Sequence, residues 1–258
     1  MLLAIDMGNT QTALGLFDGT ELVRSWRMPT DRTYTADEIH MRLYGYFHMC
    51  DLDLSQVDAI AFAGVVPELS RDWHEVANRL AATSVVVGAQ TANVTKIAAP
   101  NPAEVGADRI ANAVAAEALY GAPAIVVDFG TATNIDVVDA RGYYIGGAIA
   151  PGIRISMDAL TARASKLASV TLEAPAHAIG RNTVECVQSG AVMGAAAMAE
   201  GLVARIKEEL GEPNARVIAT GGLAKVVAQS TDVFDVIDGQ LTLLGIAEIY
   251  RRMSEASR

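Results

Sequence analysis

Cysteine is almost missing from this chain. Cys50 and Cys186 are its two, far apart and in no metal-binding spacing. Two thiols cannot build a disulfide framework, which excludes a small disulfide-stapled scaffold, and buried free thiols are the expectation. Aromatic residues are few, at 5%, whereas Ala, Val and Gly abound. That composition suits helices packed closely on sheets and argues against a disordered or fibrous chain. Positive charge is short as well. Lys and Arg number 20 against 30 Asp and Glu, for a net charge of −10, and Arg251-Arg252 is the one adjacent basic pair. No basic stripe is available to track a nucleic acid, so no such partner is expected. Acidity does not exclude a nucleotide, because Mg²⁺ and backbone N–H groups can balance phosphate charge.

Long apolar runs are missing too. The Ala-rich stretch from Ala191 to Ala199 is short and interrupted, which predicts no membrane span. The N-terminus starts a strand at once, without a basic region or cleavage site, so no secretory leader is expected and the cytoplasm is the expected address. Several active-site signatures do not occur. There is no Gly-x-x-x-x-Gly-Lys-Ser/Thr loop, no Gly-x-Gly-x-x-Gly after the first strand and no serine nucleophile elbow. His40, His48, His74 and His177 form no ligand spacing.

What remains is a chain of 258 residues, enough for one large or two medium cores. Leu2 to Asp6 and Gln11 to Phe17 read as strands, and an Asp18-Gly19 turn leads into a third, Glu21 to Met28. An Asp-Gly pair between alternating runs is a hairpin signal because that turn needs positive φ. Helical spacing follows over Thr35 to Met49 and Arg71 to Ala81, with short buried strands at Ala59 to Gly64 and Ser84 to Val87. Ile110 to Tyr120 predicts a helix stopped by Gly121 and Pro123. Then the opening pattern returns: Ala124 to Asp128, Thr133 to Val138, a turn over Asp139 to Gly142, and Tyr143 to Ile149. Leu3-Ala4-Ile5-Asp6-Met7-Gly8 matches Ile125-Val126-Val127-Asp128-Phe129-Gly130. The period of this repeat is a whole domain. It predicts domains over 1–113 and 114–258, with both Asp-X-Gly turns at an interdomain cleft, a favoured place for ligands.

Five short strings could carry chemistry. In Asp6-Met7-Gly8-Asn9-Thr10, Gly8 lets a phosphate approach backbone N–H groups, and Asp6 offers a hard oxygen to Mg²⁺, through water. Thr10 and Thr12 add hydroxyls, although a plain hairpin turn would explain the same string. In Asp128-Phe129-Gly130-Thr131, a carboxylate ending a buried run needs a cation or donors to satisfy it; Asp128 is expected to face a cation and Thr131 a phosphate. Asp108 and Arg109 immediately precede the helix expected from Ile110. Asp108 taken alone suits a helix cap, and with the forked donor of Arg109 it also suits a small-alcohol kinase. Gly146-Gly147 with Ala150-Pro151-Gly152, and Thr220-Gly221-Gly222, make Gly-rich links into helices; the second could lie against adenine and ribose.

Together these strings resemble the type III pantothenate kinase family. The resemblance runs from Leu2 to about Tyr250, and also rests on Asn101-Pro102-Ala103-Glu104-Val105-Gly106, Gly180-Arg181-Asn182-Thr183 and Gln188-Ser189-Gly190. It implies an α/β fold of duplicated ribonuclease H-like (actin-like ATPase) domains, each a mixed five-stranded sheet flanked by helices. It implies ATP-dependent phosphorylation of pantothenate, the first step towards coenzyme A, in a homodimer whose partner walls part of the substrate pocket. Asp108 would be the general base; Gly106, Ala107, Asp108, Arg109 and Thr183 would contact pantothenate. Asp6, Met7, Gly8, Asn9, Thr10, Gln11, Thr12, Ala13, Thr131, Gly221 and Gly222 would contact ATP. Mg²⁺ would sit near Asp6 and a monovalent cation, K⁺ or NH₄⁺, at Asp128. Ala99 stands on the substrate side where the family carries Tyr, and Ala164-Ser165, Leu167-Ala168 and Asn134 also depart from its pattern. Two rival readings are a paralogue phosphorylating another small alcohol and a non-catalytic nucleotide-binding regulator.

Overall fold

The structure, a computed structural model, describes residues 1–64, 67–88, 91–163 and 170–256, without the side chains of 67–70. Ala164-Ser165 and Leu167-Ala168 lie outside the described residues. The chain forms two compact units, Met1–Ala115 with Leu241–Arg258, and Ala116–Gln240.

The first unit opens with β1 (Leu2–Met7), β2 (Gln11–Asp18) and β3 (Glu21–Pro29). It continues through α1 (Ala36–His48), β4 (Ala59–Gly64), α2 (Pro67–Leu80), β5 (Thr83–Val86) and α3 (Ala107–Ala115). The sheet order is β3-β2-β1-β4-β5, antiparallel along the meander and parallel from β1 to β4 to β5. Period-2 alternation sends Leu3, Ile5 and Met7 to one face, with Ile39, Leu43 and Phe47 of α1. Leu2 and Ala4 go to the other, with Ile110 and Val114 of α3 and Leu243, Ile246 and Ile249 of α8 (Leu241–Ala256). Both faces are therefore covered, which is why β1 and β4 read as nearly continuous apolar runs.

The second unit repeats this plan. A π-helical turn over Ala116–Tyr120 leads to β6 (Ala124–Phe129), β7 (Ala132–Val138), β8 (Tyr144–Pro151) and α4 (Ile153–Arg163). A continuous helical run follows, with α5 (Thr183–Gln188), a π-helical turn at Ser189–Met193, and α6 (Gly194–Leu210). β9 (Arg216–Thr220), α7 (Ala224–Val227) and β10 (Val236–Ile237) complete it. The sheet order β10-β9-β6-β7-β8 is that of the first sheet, strand for strand. Ile125, Val127 and Phe129 pack on Ala195, Ala196, Ala199 and Val203 of α6. The expected pair of mixed five-stranded sheets with flanking helices is the observed architecture.

Two boundaries expected from the sequence differ from the structure. The second domain, read as 114–258, loses its last helix: α8 packs in the first unit. Gly245 lets α8 approach α3 closely, since a Cβ there would fall 1.9 Å from the Ala111 carbonyl oxygen. That pairing joins residues far apart in sequence and leaves no local signal. The helix expected at Ile110 starts at Ala107. The Ala-rich stretch lies within an apolar helix that the sequence places at Val184 to Leu210 as a candidate interface; the helical run Thr183–Leu210 is long and apolar enough, by length and composition, to cross a membrane. Its Ala195, Ala196, Ala199 and Val203 are buried in the core of the second unit.

Candidate active site

In the first unit, the β1–β2 register pairs Asp6 with Ala13 and Met7 with Thr12. The turn between them is closed by the Gly8 N–H donating to the Gln11 carbonyl over 3.1 Å. A Cβ on Gly8 would lie 2.9 Å from that same oxygen, so the turn itself demands glycine. Asn9, Thr10 and Gln11 are exposed and Asp6 is half-buried. Two predicted contacts are spent elsewhere. The Thr12 side chain is 1% exposed, and its hydroxyl shares a 2.9 Å hydrogen bond with Thr30. The Met7 side chain is buried in the core, which leaves only its backbone for a ligand.

Asp108 and Arg109 sit in the first turn of α3 rather than ahead of it. Ala107 and Ile110 are the buried flanks that fix this turn on the core, and Asp108 and Arg109 between them are half-buried. The Asp108 carboxylate folds back over Gly106, whose Cβ would lie 2.5 Å from Oδ1. The Ile110 N–H donates to the Gly106 carbonyl, so Gly106 is the last residue outside the helix. Ala99 is half-buried in the loop before it. A short 3-10 turn at Pro102–Glu104 precedes Gly106, and Asn101 Nδ2 donates to Glu104 Oε1 over 2.7 Å.

The second unit carries the counterpart turn. Asp128 pairs with Asn134 and Phe129 with Thr133, and the Gly130 N–H donates to the Ala132 carbonyl at 3.0 Å. This turn is one residue shorter than its counterpart at Gly8. Asp128 is half-buried at the strand end, while Gly130 and Thr131 are exposed. On the parallel side Asp128 pairs with Thr220, and Gly221 follows directly against it. Gly221 has φ +90°, and a Cβ there would fall 2.4 Å from Asp128 Oδ1, so both conformation and space require glycine. Gly222 is exposed with open space around it.

Among the described residues, no group of three or more His, Cys, Asp or Glu could hold a metal ion. Single carboxylates at Asp6 and Asp128 suit ions held mainly by phosphate oxygens, water and backbone carbonyls. They do not suit an all-protein cage.

Thr183 begins the long helical run, and sequence reasoning missed what surrounds it. Asn182 caps this run, its Oδ1 accepting from the Glu185 N–H over 3.0 Å, while its Nδ2 donates to Glu185 Oε1. Behind Thr183 lies a cavity of about 580 Å³ between α4 and the run, lined by Thr133, Met157, Leu160, Cys186 and Met198 among others. Its apolar lining comes from three separated segments, which no local motif marks. The expectation of buried thiols fails here: Cys186 is exposed and Cys50 half-buried. Cys186 lies in the exposed first turns of the run, with Sγ 3.4 Å from the Gly180 carbonyl.

Residues 2–205 match the family model of the type III pantothenate kinases. A type III pantothenate kinase from Thermomicrobium roseum is 49% identical over 255 residues, covering 98% of each chain. Among solved structures, component A of (R)-2-hydroxyglutaryl-CoA dehydratase from Acidaminococcus fermentans superposes with a TM-score of 0.59. It has 14% identity and covers 99% of this chain and 98% of that one. A ROK hexokinase from Thermus thermophilus gives a TM-score of 0.52 at 14% identity, with 98% and 99% covered. These two likenesses speak to the fold alone, which is that of the actin-like ATPases and sugar kinases.

Proposed function

The chain belongs to the type III pantothenate kinase family, and from that premise we propose that it transfers the γ-phosphoryl group of ATP to pantothenate. The product is 4'-phosphopantothenate, and the reaction opens the route to coenzyme A. The observation that carries the assignment to these residues is Asp108, held in the first turn of α3 with Arg109 beside it.

In this reading, Arg109 binds the carboxylate of pantothenate as a forked donor. Asp108 accepts the proton of the primary hydroxyl as that oxygen attacks the γ-phosphorus. The bond from phosphorus to the bridging oxygen breaks, and ADP leaves with the electron pair. Gly106 and Ala107 border the substrate, with Ala99 and Thr183 as further contacts. The turn from Asp6 to Ala13 offers backbone N–H groups and the exposed Asn9, Thr10 and Gln11 to the nucleotide. The turn at Gly130 offers Thr131, and Gly221 and Gly222 leave room for the nucleoside. Asp6 would hold Mg²⁺ through water and Asp128 a monovalent cation, K⁺ or NH₄⁺. The ions, when bound, supply positive charge against the phosphates. Positioning and charge carry most of phosphoryl transfer, so help from the base is a modest share of the total.

The working form is a homodimer in the cytoplasm. Support for a covered face comes from the second unit, where Ile179 is 83% exposed, Ile149 66% and Val184 50%. Large apolar side chains left this exposed are what a partner subunit would cover.

The test is ADP release coupled to pantothenate, with and without K⁺, and with the phosphorylated product identified by mass. Turnover with pantothenate, stimulated by K⁺, is the expected result. Turnover only with pantetheine or another small alcohol would replace the substrate assignment. Nucleotide binding without any phosphorylated product would make the chain a regulator.

A further inference from the structure

Gly152 stands between the end of β8 and the start of α4. A Cβ on Gly152 would fall 2.1 Å from the Thr131 carbonyl oxygen and 2.7 Å from that of Gly130. Both are backbone atoms, which cannot swing aside as a side chain can. Gly152 is not among the glycines with positive φ, so alanine could adopt its conformation. Space, and not backbone freedom, is what the position requires.

The approach is built from both ends. Pairing of Ala132 with Pro151 brings the β8 strand end beside the turn. The Ser156 N–H then donates to the Gly152 carbonyl at 3.0 Å, which starts α4 directly from the glycine. On the opposite side of the turn, a Cβ on Gly221 would meet Asp128 Oδ1 and the Phe129 backbone, and the Leu223 N–H donates to the Phe129 carbonyl. The segment from Asp128 to Thr131 is thus gripped between two pieces of backbone that carry no side chain.

We propose that Gly152 is a positioning residue for phosphoryl transfer, setting through contact with the Gly130 and Thr131 carbonyls where the turn presents Asp128 and Thr131. The proposal rests on the reading that this turn faces the nucleotide and the monovalent cation. A side chain at 152 forces the turn and the start of α4 apart by about an ångström, because packed interiors have no slack to absorb it. A displacement of about 1 Å at a phosphate-holding group can cost on the order of 10²-fold. A glycine kept only for packing would lower the melting temperature on replacement and leave the balance between the two substrates alone.

Gly152→Ala, Thr131→Ala and Gly201→Ala are compared in the full-length protein by steady-state kinetics and thermal melting. Gly201 lies in α6 with open space around it, and its variant should keep wild-type kinetics while melting no lower than wild type, since alanine favours a helix over glycine. Gly152→Ala should raise the KM for ATP by roughly 10–100-fold and weaken K⁺ activation. The KM for pantothenate should stay within about two-fold. If Thr131→Ala raises the ATP KM while Gly152→Ala changes neither ATP KM nor K⁺ response, the proposal is overturned and the reading of the turn stands. If Thr131→Ala leaves the ATP KM at the wild-type value, the reading of the turn falls, and the proposal with it. Should Gly152→Ala not fold, Pro151→Gly decides. That variant loosens the same link without adding an atom, and an unchanged ATP KM in it would overturn the proposal.

Discussion

Oδ1 of Asp108 lies where a Cβ on Gly106 would approach within 2.5 Å. The carboxylate at the head of α3 therefore leans on a residue with no side chain. If this carboxylate is the proton acceptor, Asp108→Asn keeps its shape and removes its basicity. Turnover should fall by roughly 10²–10⁴, while nucleotide binding, followed by titration of a fluorescent ATP analogue, persists. Full activity in the variant would take Asp108 out of the mechanism.

Gly106→Ala tests the lean itself. The atom that the new Cβ meets is the far end of a side chain, so the carboxylate swings away and the backbone stays. Turnover is expected to drop by roughly ten-fold through misplacement. Stability should change by no more than about 0.5 kcal/mol, as at ordinary surface positions. A melting curve beside the rate measurement separates the two.

Asp128→Asn addresses the cation. If this carboxylate holds K⁺, the variant should lose the rise in rate with added KCl while keeping a basal rate. A K⁺ titration at constant ionic strength reads it directly. A wild-type K⁺ response would place the cation elsewhere.

Much of this was legible in the residues because the signals are local. The repeated apolar run ending in Asp-X-Gly located both strand–turn–strand units, since two-faced burial writes itself as a continuous apolar string. The Asp18-Gly19 turn located the β2–β3 hairpin. Illegible features depend on contacts distant in sequence. The two-residue strand β10 is too short for any periodicity. The early start of α3 was hidden because Gly106, a poor helix former, stands directly before it, and the start is fixed by burial of Ala107 against the core. Thr12 read as a phosphate donor because nothing near it shows that Thr30 takes its hydroxyl. The roles of Gly152 and Gly221 emerge only once β8 and β9 are seen to end against one turn.

A pH effect on stability is expected from Tyr120. Its hydroxyl donates to Asp238 Oδ2 over 2.8 Å. Burial, and then the hydrogen bond and charge of Asp238, push the phenol from its ordinary 10.0 up to about 12. A raised folded-state value means that the folded state holds the proton more tightly than the unfolded one. The contribution is therefore fully present below pH about 10 and fades as pH rises towards about 12. Tyr120→Phe should lower the melting temperature at pH 8 by an amount equivalent to about 0.5–1.5 kcal/mol. The gap between variant and wild type should close across that alkaline window. A gap that stays constant with pH would deny the coupling to Asp238.

Asn182 offers the last test, because it links a local cap to the substrate side. Its Oδ1 satisfies the Glu185 N–H at the start of the run that carries Thr183. Asn182→Ala leaves that donor unmet and should cost about 1 kcal/mol, whereas Asn182→Gly should cost only about a few tenths. Asn182→Ser retains a capping oxygen and gives up only the exposed Nδ2 hydrogen bond to Glu185 Oε1, and should cost no more than Asn182→Gly. If Thr183 touches pantothenate, fraying of this first turn moves it, and the KM for pantothenate should rise in the same order, Ser and Gly below Ala. The KM for ATP should stay flat through the series, since the cap is assigned no part in nucleotide binding. Parallel rises in both KM values would point to general loosening of the second unit and would remove Thr183 from the substrate site.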